Sequence, residues 1–421
     1  MKIFYDLIFL LLSILYLPAY LFKGKLNRGV KERFGCAVKG RVFDAPIWVH
    51  AVSVGEAVVA KGLIAALRKA YPRKQFVIST VTATGNAIAR TFAQEQDFVT
   101  YLPFDFSFSV NRVVSRIKPA LVVIIETEIW PNFITCLKEK KIPVAVVNAR
   151  ISDKSFRGYK ASAFMMGRIF KQVDLFCARA RTDAEKLSAL GVAAERIRVT
   201  GNMKFDISAP AEVSKVQNPY LAQLGITSLQ RLIVAGSTHP QEEEVVLEAY
   251  RRVRRLRPES VLLLAPRHPE RASEVARIVQ SYDFTPVRIS QLKDSSVGGE
   301  SQVVFILDTI GQLMTFYALA DIVFVGGSLV AKGGHNILEP AVLGKPIIFG
   351  PSMSNFQDIA DLFLFRKAAV LVYSAEELQE RINYLLNNEL YAKELSDSAR
   401  KLVLENQGAT EKTLAGLRSL V

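Results

Sequence analysis

The sequence predicts an α/β protein made of two doubly wound domains that face each other across a cleft, and three observations support this fold class. From residue 47 onward, short apolar runs alternate with helical segments, which is the pattern of a mostly parallel sheet covered on both faces. The alternation stops at a polar connector and then starts again. The chain has 421 residues, enough for about two or three domains. We predict a membrane anchor at 1–22, a first domain at 35–207, a linker at 208–219 and a second domain at 220–421.

The apolar N-terminal segment predicts the anchor. Ile3 to Phe22 is twenty residues with one charge, Asp6, which is long enough to cross a hydrocarbon core of roughly 30 Å. Basic residues follow at once, and this bias predicts that the remainder of the chain lies on the cytoplasmic side of the membrane. A cleaved signal peptide is the alternative, but no small-residue cleavage site follows. Pro18 also suits a helix that lies in the membrane interface, so a spanning and a monotopic anchor both stay open.

Twelve apolar runs predict the strands of the two sheets. In the first half they are Ile47–Val52, Phe76–Thr80, Val99–Leu102, Leu121–Ile125, Val144–Val147, Leu175–Ala178 and Ile197–Thr200. In the second half they are Leu232–Ala235, Val261–Ala265, Val303–Leu307, Ile322–Val325 and Pro346–Phe349. Ligands of doubly wound sheets bind at the carboxyl ends of the strands. The residues that follow each run are therefore the candidates for chemistry.

The overall charge indicates acidic partners. A net charge of +14 suits a nucleotide, a phosphorylated lipid, a membrane surface or a nucleic acid. A nucleic-acid-binding protein is disfavoured because the basic residues are spread along the chain rather than clustered with aromatic residues. The three cysteines are far apart and the four histidines are scattered, so we predict neither a metal site nor a bound cofactor.

Carboxylates and cations follow the strands of the first half. Glu56 closes a Ser53-x-x-Glu56 capping box, so it either accepts a proton from an alcohol or only caps its helix. Glu126 and Glu128 end a buried strand, where their like charges would raise one pKa, unless each is bound to an arginine. Arg150 and Lys204 follow later strands and suit an acidic substrate, although single basic residues are mostly solvated surface groups.

The strand ends of the second half carry small, hydroxyl and cationic residues. Such residues at helix N-termini hold phosphate groups, so their convergence predicts a nucleotide site. Thr238 also begins a capping box that ends at Gln241, which would explain the hydroxyls without a ligand. The candidates are Ser237, Thr238, Pro266, Arg267, Gly311, Gln312 and Leu313.

A glycine-rich loop after the Ile322–Val325 run is the strongest nucleotide candidate. Gly333 and Gly334 let a ligand approach the backbone, and a helix opened by His335 and Asn336 would turn its free N–H groups toward an anion. Glu339 could then accept from ribose hydroxyls. A simple strand-to-helix turn with a capping glutamate is the alternative. The residues of this stretch that we assign to the site are Asn336, Ile337, Leu338 and Glu339.

These ordered stretches together resemble the bacterial Kdo transferase family (3-deoxy-D-manno-octulosonic acid transferases) over essentially the full length. The resemblance rests on the apolar N-terminus and on the motifs Ser-Val-Gly-Glu56, Glu126-Thr-Glu-Ile-Trp-Pro-Asn, Asn-Ala-Arg150, Gly-Asn-Met-Lys204-Phe-Asp, Pro-Arg267-His, Gly311-Gln-Leu and Asn336-Ile-Leu-Glu339. It implies a GT-B fold of two Rossmann-like domains. It also implies an inverting, metal-independent transfer of Kdo from CMP-Kdo to a hydroxyl of the lipid A precursor, lipid IVA, in lipopolysaccharide core biosynthesis.

The same resemblance implies roles for individual residues. Glu56 matches the general base, and Glu126 and Lys204 match positions that support the transition state. The stretches at Pro266-Arg267, at 311–313 and at 336–339 match those that hold CMP-Kdo. Arg150 and Glu128 remain candidates for contact with the lipid acceptor. An epimerase or another sugar transferase on the same scaffold is the enzymatic alternative.

Overall fold

The structure is a computed structural model that describes residues 5–11, 13–15, 29–209, 220–221, 224–292 and 302–421. The chain divides into two compact units, a first unit of Met1–Asp206 with Asn406–Val421 and a second unit of Ile207–Glu405. Among the described residues, each unit contains one parallel sheet of seven strands. The predicted α/β class and its two doubly wound halves are therefore confirmed. Most of the predicted linker lies outside the described residues.

The first unit is built around a sheet with the strand order β3-β2-β1-β4-β5-β6-β7. The central strands are buried on both faces, which explains why they read as continuous apolar runs. The strands are β1 (Ile47–His50), β2 (Phe76–Thr80), β3 (Phe98–Tyr101), β4 (Leu121–Ile125), β5 (Val144–Ala149), β6 (Leu175–Ala178) and β7 (Ile197–Val199). The helices are α1 (Val30–Arg33), α2 (Val54–Ala70), α3 (Ala83–Phe92), α4 (Ser107–Ile117), α5 (Pro131–Glu139), α6 (Asp153–Ala161), α7 (Ala163–Phe170), α8 (Arg181–Ala189) and, from the far end of the chain, α16 (Ala409–Leu417).

The second unit repeats this plan with the order β10-β11-β9-β8-β12-β13-β14. Its strands are β8 (Arg231–Thr238), β9 (Ser260–Pro266), β10 (Thr285–Arg288), β11 (Val303–Ile306), β12 (Ile322–Val325), β13 (Ile347–Phe349) and β14 (Val370–Leu371). Its helices are α9 (Glu242–Leu256), α10 (Ala272–Ser281), α11 (Leu313–Leu319), α12 (Leu338–Val342), α13 (Gln357–Phe365), α14 (Ala375–Asn387) and α15 (Glu389–Asn406).

Two strands of the second sheet were not predicted. Both lie at the edges, where strands are short and only half-buried, so they lack a continuous apolar run. β10 contains Pro286, which the outermost position tolerates because one side of an edge strand needs no partner. The other twelve strands of the two sheets coincide with predicted runs, apart from shifts of one to three residues at their ends.

Helix α16 packs in the first unit, which differs from the predicted second domain of 220–421. The carboxylate of Asp206 accepts hydrogen bonds from the N–H groups of Gly408 and Thr410, at 2.6 and 2.5 Å, and so satisfies the start of the helix. Ala409 and Leu417 are fully buried in the core of the first unit. This contact joins residues about two hundred positions apart, so no local pattern in the sequence reports it.

The predicted anchor is described only at residues 5–11 and 13–15, which are helical. None of the helices in the described part of the chain has both the length and the apolar character needed to cross a membrane.

Candidate active site

Glu56 lies at the start of α2, directly after β1, and its carboxylate is engaged locally. Oε2 accepts from the Val52 N–H at 2.7 Å and Oε1 accepts from the Ser53 hydroxyl at 2.8 Å, while Ser53 caps the helix. The predicted capping interaction is therefore present. Glu56 is nevertheless only 8% exposed, and this burial, together with the charge of Glu126, raises its pKa above the usual range. A carboxylate that caps a helix and has a raised pKa can still accept a proton. The role of Glu56 as general base therefore stays a prediction.

Glu126 combines a strained backbone conformation with a cluster of charged side chains around its carboxylate. It follows β4 with a φ of 62°, in the left-handed region that non-glycine residues seldom adopt, and such strain concentrates at functional sites. Its carboxylate forms an ion pair with Arg179, and Lys204 Nζ lies 3.8 Å from Oε1. The structure thus brings Glu126 and Lys204 together, while their catalytic roles stay predictions.

Arg179 is the member of this cluster that the sequence reasoning missed. Its guanidinium is 7% exposed and also donates to the Asn148 carbonyl oxygen, at 3.1 Å. The side chain of Asn148 in turn accepts from the Met203 N–H at 3.0 Å, which fixes the turn that carries Lys204. Arg179 comes directly after β6, so the strand-end rule that selected Arg150 would also have found it.

Glu128 shares an electrostatic environment with the other two carboxylates. Burial first, and then the charges of Glu56 and Glu126, raise its pKa to about 7. A raised pKa was predicted from like charges, but burial is the larger cause. Among the residues that the structure describes, an ion pair with arginine is found for Glu126 but not for Glu128.

Arg150 is exposed at the end of β5. Its backbone joins the loops after β4 and β5, because its N–H donates to the Thr127 hydroxyl at 3.1 Å and its carbonyl accepts from the same hydroxyl at 2.6 Å. The predicted contact of the Arg150 side chain with a substrate stays a prediction.

In the second unit, the hydroxyl of Thr238 is used internally rather than presented to a ligand. Thr238 is fully buried and donates to Glu243 at 2.9 Å. The predicted capping box from Thr238 to Gln241 is not formed, because Gln241 has a φ of 77° and α9 begins only at Glu242. Ser237 also has a positive φ, of 58°, at the end of β8.

The glycine loop after β12 differs from its prediction. The N–H groups of Gly327, Ser328 and Leu329 donate to the buried carboxylate of Glu242, at 2.6, 2.8 and 2.8 Å. An internal anion therefore fills the backbone site next to the strand. Helix α12 begins at Leu338 rather than at His335, because Asn336 forms a turn whose side-chain oxygen accepts from the Leu338 N–H at 3.2 Å.

Glu339 and Arg267 lie close enough to influence each other. Burial raises the pKa of Glu339, while a hydrogen bond from Asn336 Nδ2, at 3.2 Å, and the charge of Arg267 oppose this rise. The Arg267 N–H donates to the Thr238 carbonyl at 2.9 Å, which ties the ends of β8 and β9 together. Four of the predicted nucleotide-site residues, Thr238, Arg267, Asn336 and Glu339, are thereby placed at one edge of the sheet.

The remaining predicted stretch, at 311–313, begins α11. Gly311 has a φ of 89° and Gln312 precedes the first residue of the helix, Leu313. The Gln312 side chain accepts from the Thr309 hydroxyl and donates to the Tyr220 hydroxyl at 3.1 Å. Helix α11 packs against α12, so this stretch belongs to the same edge as Glu339. Pro266, Ile337 and Leu338 are buried, and their predicted contact with the nucleotide stays a prediction.

His239, His268 and His335 gather at this edge and were not assigned to the site from the sequence. His239 and His268 follow the ends of β8 and β9, and His335 follows the glycine pair of the loop after β12, and these positions were the available signal. Within the part of the chain that the structure describes, no group of three or more His, Cys, Asp or Glu side chains is arranged to hold a metal ion. The metal-independent reaction stays a prediction.

Comparison with known proteins relates both units to one group of enzymes. Residues 28–207 match the family described as 3-Deoxy-D-manno-octulosonic-acid transferase (kdotransferase), and residues 288–402 match glycosyl transferases group 1. The 3-deoxy-D-manno-octulosonic acid transferase of Haemophilus influenzae is 33% identical over 376 residues, which cover 87% of this chain and 85% of that protein. The enzyme of the same name from Rickettsia bellii is 32% identical over 419 residues, 98% of each chain.

Solved structures show the same fold at low sequence identity. A glycosyltransferase from Rickettsia africae matches with a TM-score of 0.55 and 14% identity, over 90% of this chain and 99% of that one. A UDP-GlcNAc 2-epimerase from Neisseria meningitidis, bound to UDP-GlcNAc, matches with a TM-score of 0.55 and 13% identity, over 86% and 99%. At such identities the likeness concerns the fold alone, which is the GT-B arrangement of two Rossmann-like sheets.

Proposed function

The chain belongs to the 3-deoxy-D-manno-octulosonic acid transferase family of glycosyltransferases, and on that premise we propose that it moves Kdo from CMP-Kdo to a hydroxyl of the lipid A precursor, lipid IVA. The observation that carries this proposal is the cluster at the strand ends of the first unit. There the buried carboxylate of Glu56 has a raised pKa, in part because of the negative charge of Glu126. Glu126 in turn forms ion pairs with Arg179 and Lys204. A proton acceptor beside fixed cations suits attack by an alcohol on an anionic sugar.

In the proposed mechanism Glu56 removes the proton of the acceptor hydroxyl as the new glycosidic bond forms. Its raised pKa suits this task, because a base whose pKa lies nearer to neutral pH accepts a proton more readily. The hydrogen bonds from Val52 and Ser53 orient the carboxylate. Glu126 and Lys204 support the transition state, since their ion pair fixes charge before the reaction starts.

The second unit would hold the donor through Arg267, Asn336, Glu339 and the stretch at 311–313. Arg267 supplies a fixed positive charge for the departing phosphate, so charge stabilisation does not require a metal ion. We propose in-line displacement with inversion at the anomeric carbon. Full activity in the presence of EDTA is expected, and loss of activity that Mg²⁺ restores would contradict metal independence.

We also propose that the protein acts on the cytoplasmic face of the inner membrane, held there by its N-terminal helix. Asp6 accepts hydrogen bonds from the Ser107 N–H and from Asn132 Nδ2, at 3.0 and 2.7 Å, so the helix is fixed to the first unit. Leu11 and Leu15 are 67% and 72% exposed, which leaves apolar surface for lipid. Co-sedimentation with anionic phospholipid vesicles tests this, and protein that stays in the supernatant at low salt would contradict it.

Replacement of Glu56 tests the central proposal. Glu56→Gln is expected to lower the transfer rate by at least about a hundredfold, as loss of a general base does, while CMP-Kdo still binds. Glu377 offers a matched control, because Ser374 caps α14 and the Glu377 carboxylate accepts from the Tyr373 N–H at 2.9 Å. Glu377→Gln removes the same kind of capping contact and should leave transfer unchanged. Equal activity in the two variants would reduce Glu56 to a helix cap.

The epimerase alternative rests on fold likeness alone. Incubation with CMP-Kdo plus lipid IVA, and separately with UDP-sugars, distinguishes the two activities. Consumption of a UDP-sugar without any use of CMP-Kdo would overturn the proposed function.

A further inference from the structure

The three histidines of the second unit form a compact cluster whose centre is a hydrogen-bonded pair. The Nε2 atoms of His239 and His335 lie 2.9 Å apart, and their rings are nearly parallel, at 5°. His268 packs edge to face on His239, with 6.1 Å between the ring centroids. A contact of 2.9 Å between two ring nitrogens needs one donor and one acceptor. One Nε2 therefore carries a hydrogen and the other does not.

Both rings of the pair pack against the backbone of Gly327. Gly327 has a φ of 67°, and a Cβ at this position would lie 2.9 Å from Cδ2 of His335 and 3.4 Å from Cδ2 of His239. Both rings therefore pack over a residue that must lack a side chain. The N–H groups of Gly327 and His239 both donate to the buried carboxylate of Glu242, at 2.6 and 3.1 Å. One internal anion thus fixes the backbone of Gly327 and of His239 next to the pair.

The groups that face the pair are mainly cationic. They are Arg267, Arg271, Lys332 and His268, together with the carboxylate of Glu242, which backbone N–H groups already satisfy. Arg271 is itself balanced by ion pairs with Glu243 and Glu274, each at 2.9 Å.

Burial and these positive charges lower the pKa of both His239 and His335 to about 4. Near neutral pH the pair is therefore uncharged, in surroundings that attract an anion.

We propose that His239 and His335 form a proton-coupled binding site for the phosphate of the nucleotide sugar, an inference that rests on the proposed function and adds to it. A bound phosphate balances the charges of Arg267 and Lys332, so a proton from solvent can enter the pair. With hydrogen on both Nε2 atoms the two rings can no longer bond to each other, and both N–H groups then donate to phosphate oxygens. Binding of one phosphate is accompanied by uptake of one proton.

Calorimetric titration of the full chain with CMP tests this proposal. The titration is run at about pH 7.5 in two buffers that differ in ionisation enthalpy, because the difference in heat counts the protons taken up. The wild-type protein is expected to take up close to one proton per CMP. Its affinity should fall by up to about tenfold per pH unit as the pH rises further. His335→Gln and His239→Gln should each abolish the proton uptake and flatten the pH dependence.

His268→Gln is the matched control, because it removes a neighbouring ring whose side chain is 56% exposed and leaves the central pair intact. This variant should retain the uptake. Unchanged uptake in His335→Gln would overturn the proposal. Uptake with free Kdo but not with CMP would overturn the assignment to phosphate, since Kdo offers only a carboxylate. Binding of UDP in place of CMP, with the same dependence on His335, would refute the CMP-Kdo donor while supporting the role of the pair.

Discussion

Glu242 is expected to be a large contributor to the stability of the second unit, and Glu242→Gln tests this. The residue is fully buried, and its two carboxylate oxygens accept four backbone N–H groups. Oε1 accepts from Ser328 and Leu329, while Oε2 accepts from Gly327 and His239. Glutamine replaces one of these oxygens with an NH₂ group, which is itself a donor. Two backbone N–H groups then lose their acceptor in a buried site.

The expected magnitude follows from these contacts. A hydrogen bond to a charged group contributes about 1.5–3 kcal/mol, so two lost bonds cost roughly 3–6 kcal/mol. Loss of a buried charge removes a desolvation penalty and moves the result toward the lower figure, about 3 kcal/mol. For a unit of this size, each kcal/mol lowers the unfolding midpoint by about 2–4 °C. We therefore expect the midpoint of the second unit to fall by about 6–12 °C.

Differential scanning calorimetry of the full chain measures this effect. Glu244 lies in the same first turn of α9 and has a buried Oε2 for which no hydrogen-bond partner is found among the described residues. Glu244→Gln removes the same charge from the same helix end and should shift the midpoint by less than about 2 °C. A shift of similar size in both variants would refute the reasoning, because it would trace the effect to the helix charge and not to the loop.

Three further predictions concern the first unit. The pKa of Glu128 is raised from 4.5 to about 7, so the folded state holds the carboxyl proton more tightly than the unfolded state does. This preference contributes about 3 kcal/mol to the free energy of unfolding below pH ~4.5, and the contribution is lost as the pH rises through ~7. Urea titrations at several pH values should show that the free energy of unfolding falls less steeply with pH in Glu128→Gln. Arg179→Gln leaves Glu126 without its buried partner and should lower the free energy of unfolding by about 2–4 kcal/mol in thermal unfolding experiments. Lys138→Gln removes a surface ion pair and should lower it by less than about 1 kcal/mol, so equal losses in the two variants would contradict this prediction. Asp206→Ala should cost about 1–2 kcal/mol and speed hydrogen exchange in 409–417, whereas unchanged exchange there would show that the cap is dispensable.

The sequence was sufficient wherever the controlling interaction is local. Strands buried on both faces appear as apolar runs, and the residues after them lie at the carboxyl edge by the geometry of parallel sheets. For this reason the strand-end rule selected both Glu126 and Lys204, which the structure places near each other. The Ser53–Glu56 cap was likewise visible from its spacing.

Two of the features that the sequence did not reveal depend on partners far away in the chain, and a third depends on a local competition. Glu242 looks like an ordinary acidic residue in a first helical turn, yet it fills a loop 85 positions later. Arg179 is recognised as part of the site only through its ion pair with Glu126, 53 positions earlier. The late start of α12 follows from one side chain, Asn336, which competes with the helix for the Leu338 N–H. Such competition is decided by geometry and not by residue type.

The return of α16 to the first unit has a consequence for synthesis of the protein. Residues 406–421 leave the ribosome after the whole second unit, although the core they complete belongs to the unit made first. Until then, the apolar surface that Ala409 and Leu417 cover is exposed to solvent, and the carboxylate of Asp206 lacks the backbone N–H groups that it binds in the folded protein. The nascent chain therefore carries an unfinished first half for the time that about two hundred residues take to be translated, which is a period when chaperones have a surface to bind.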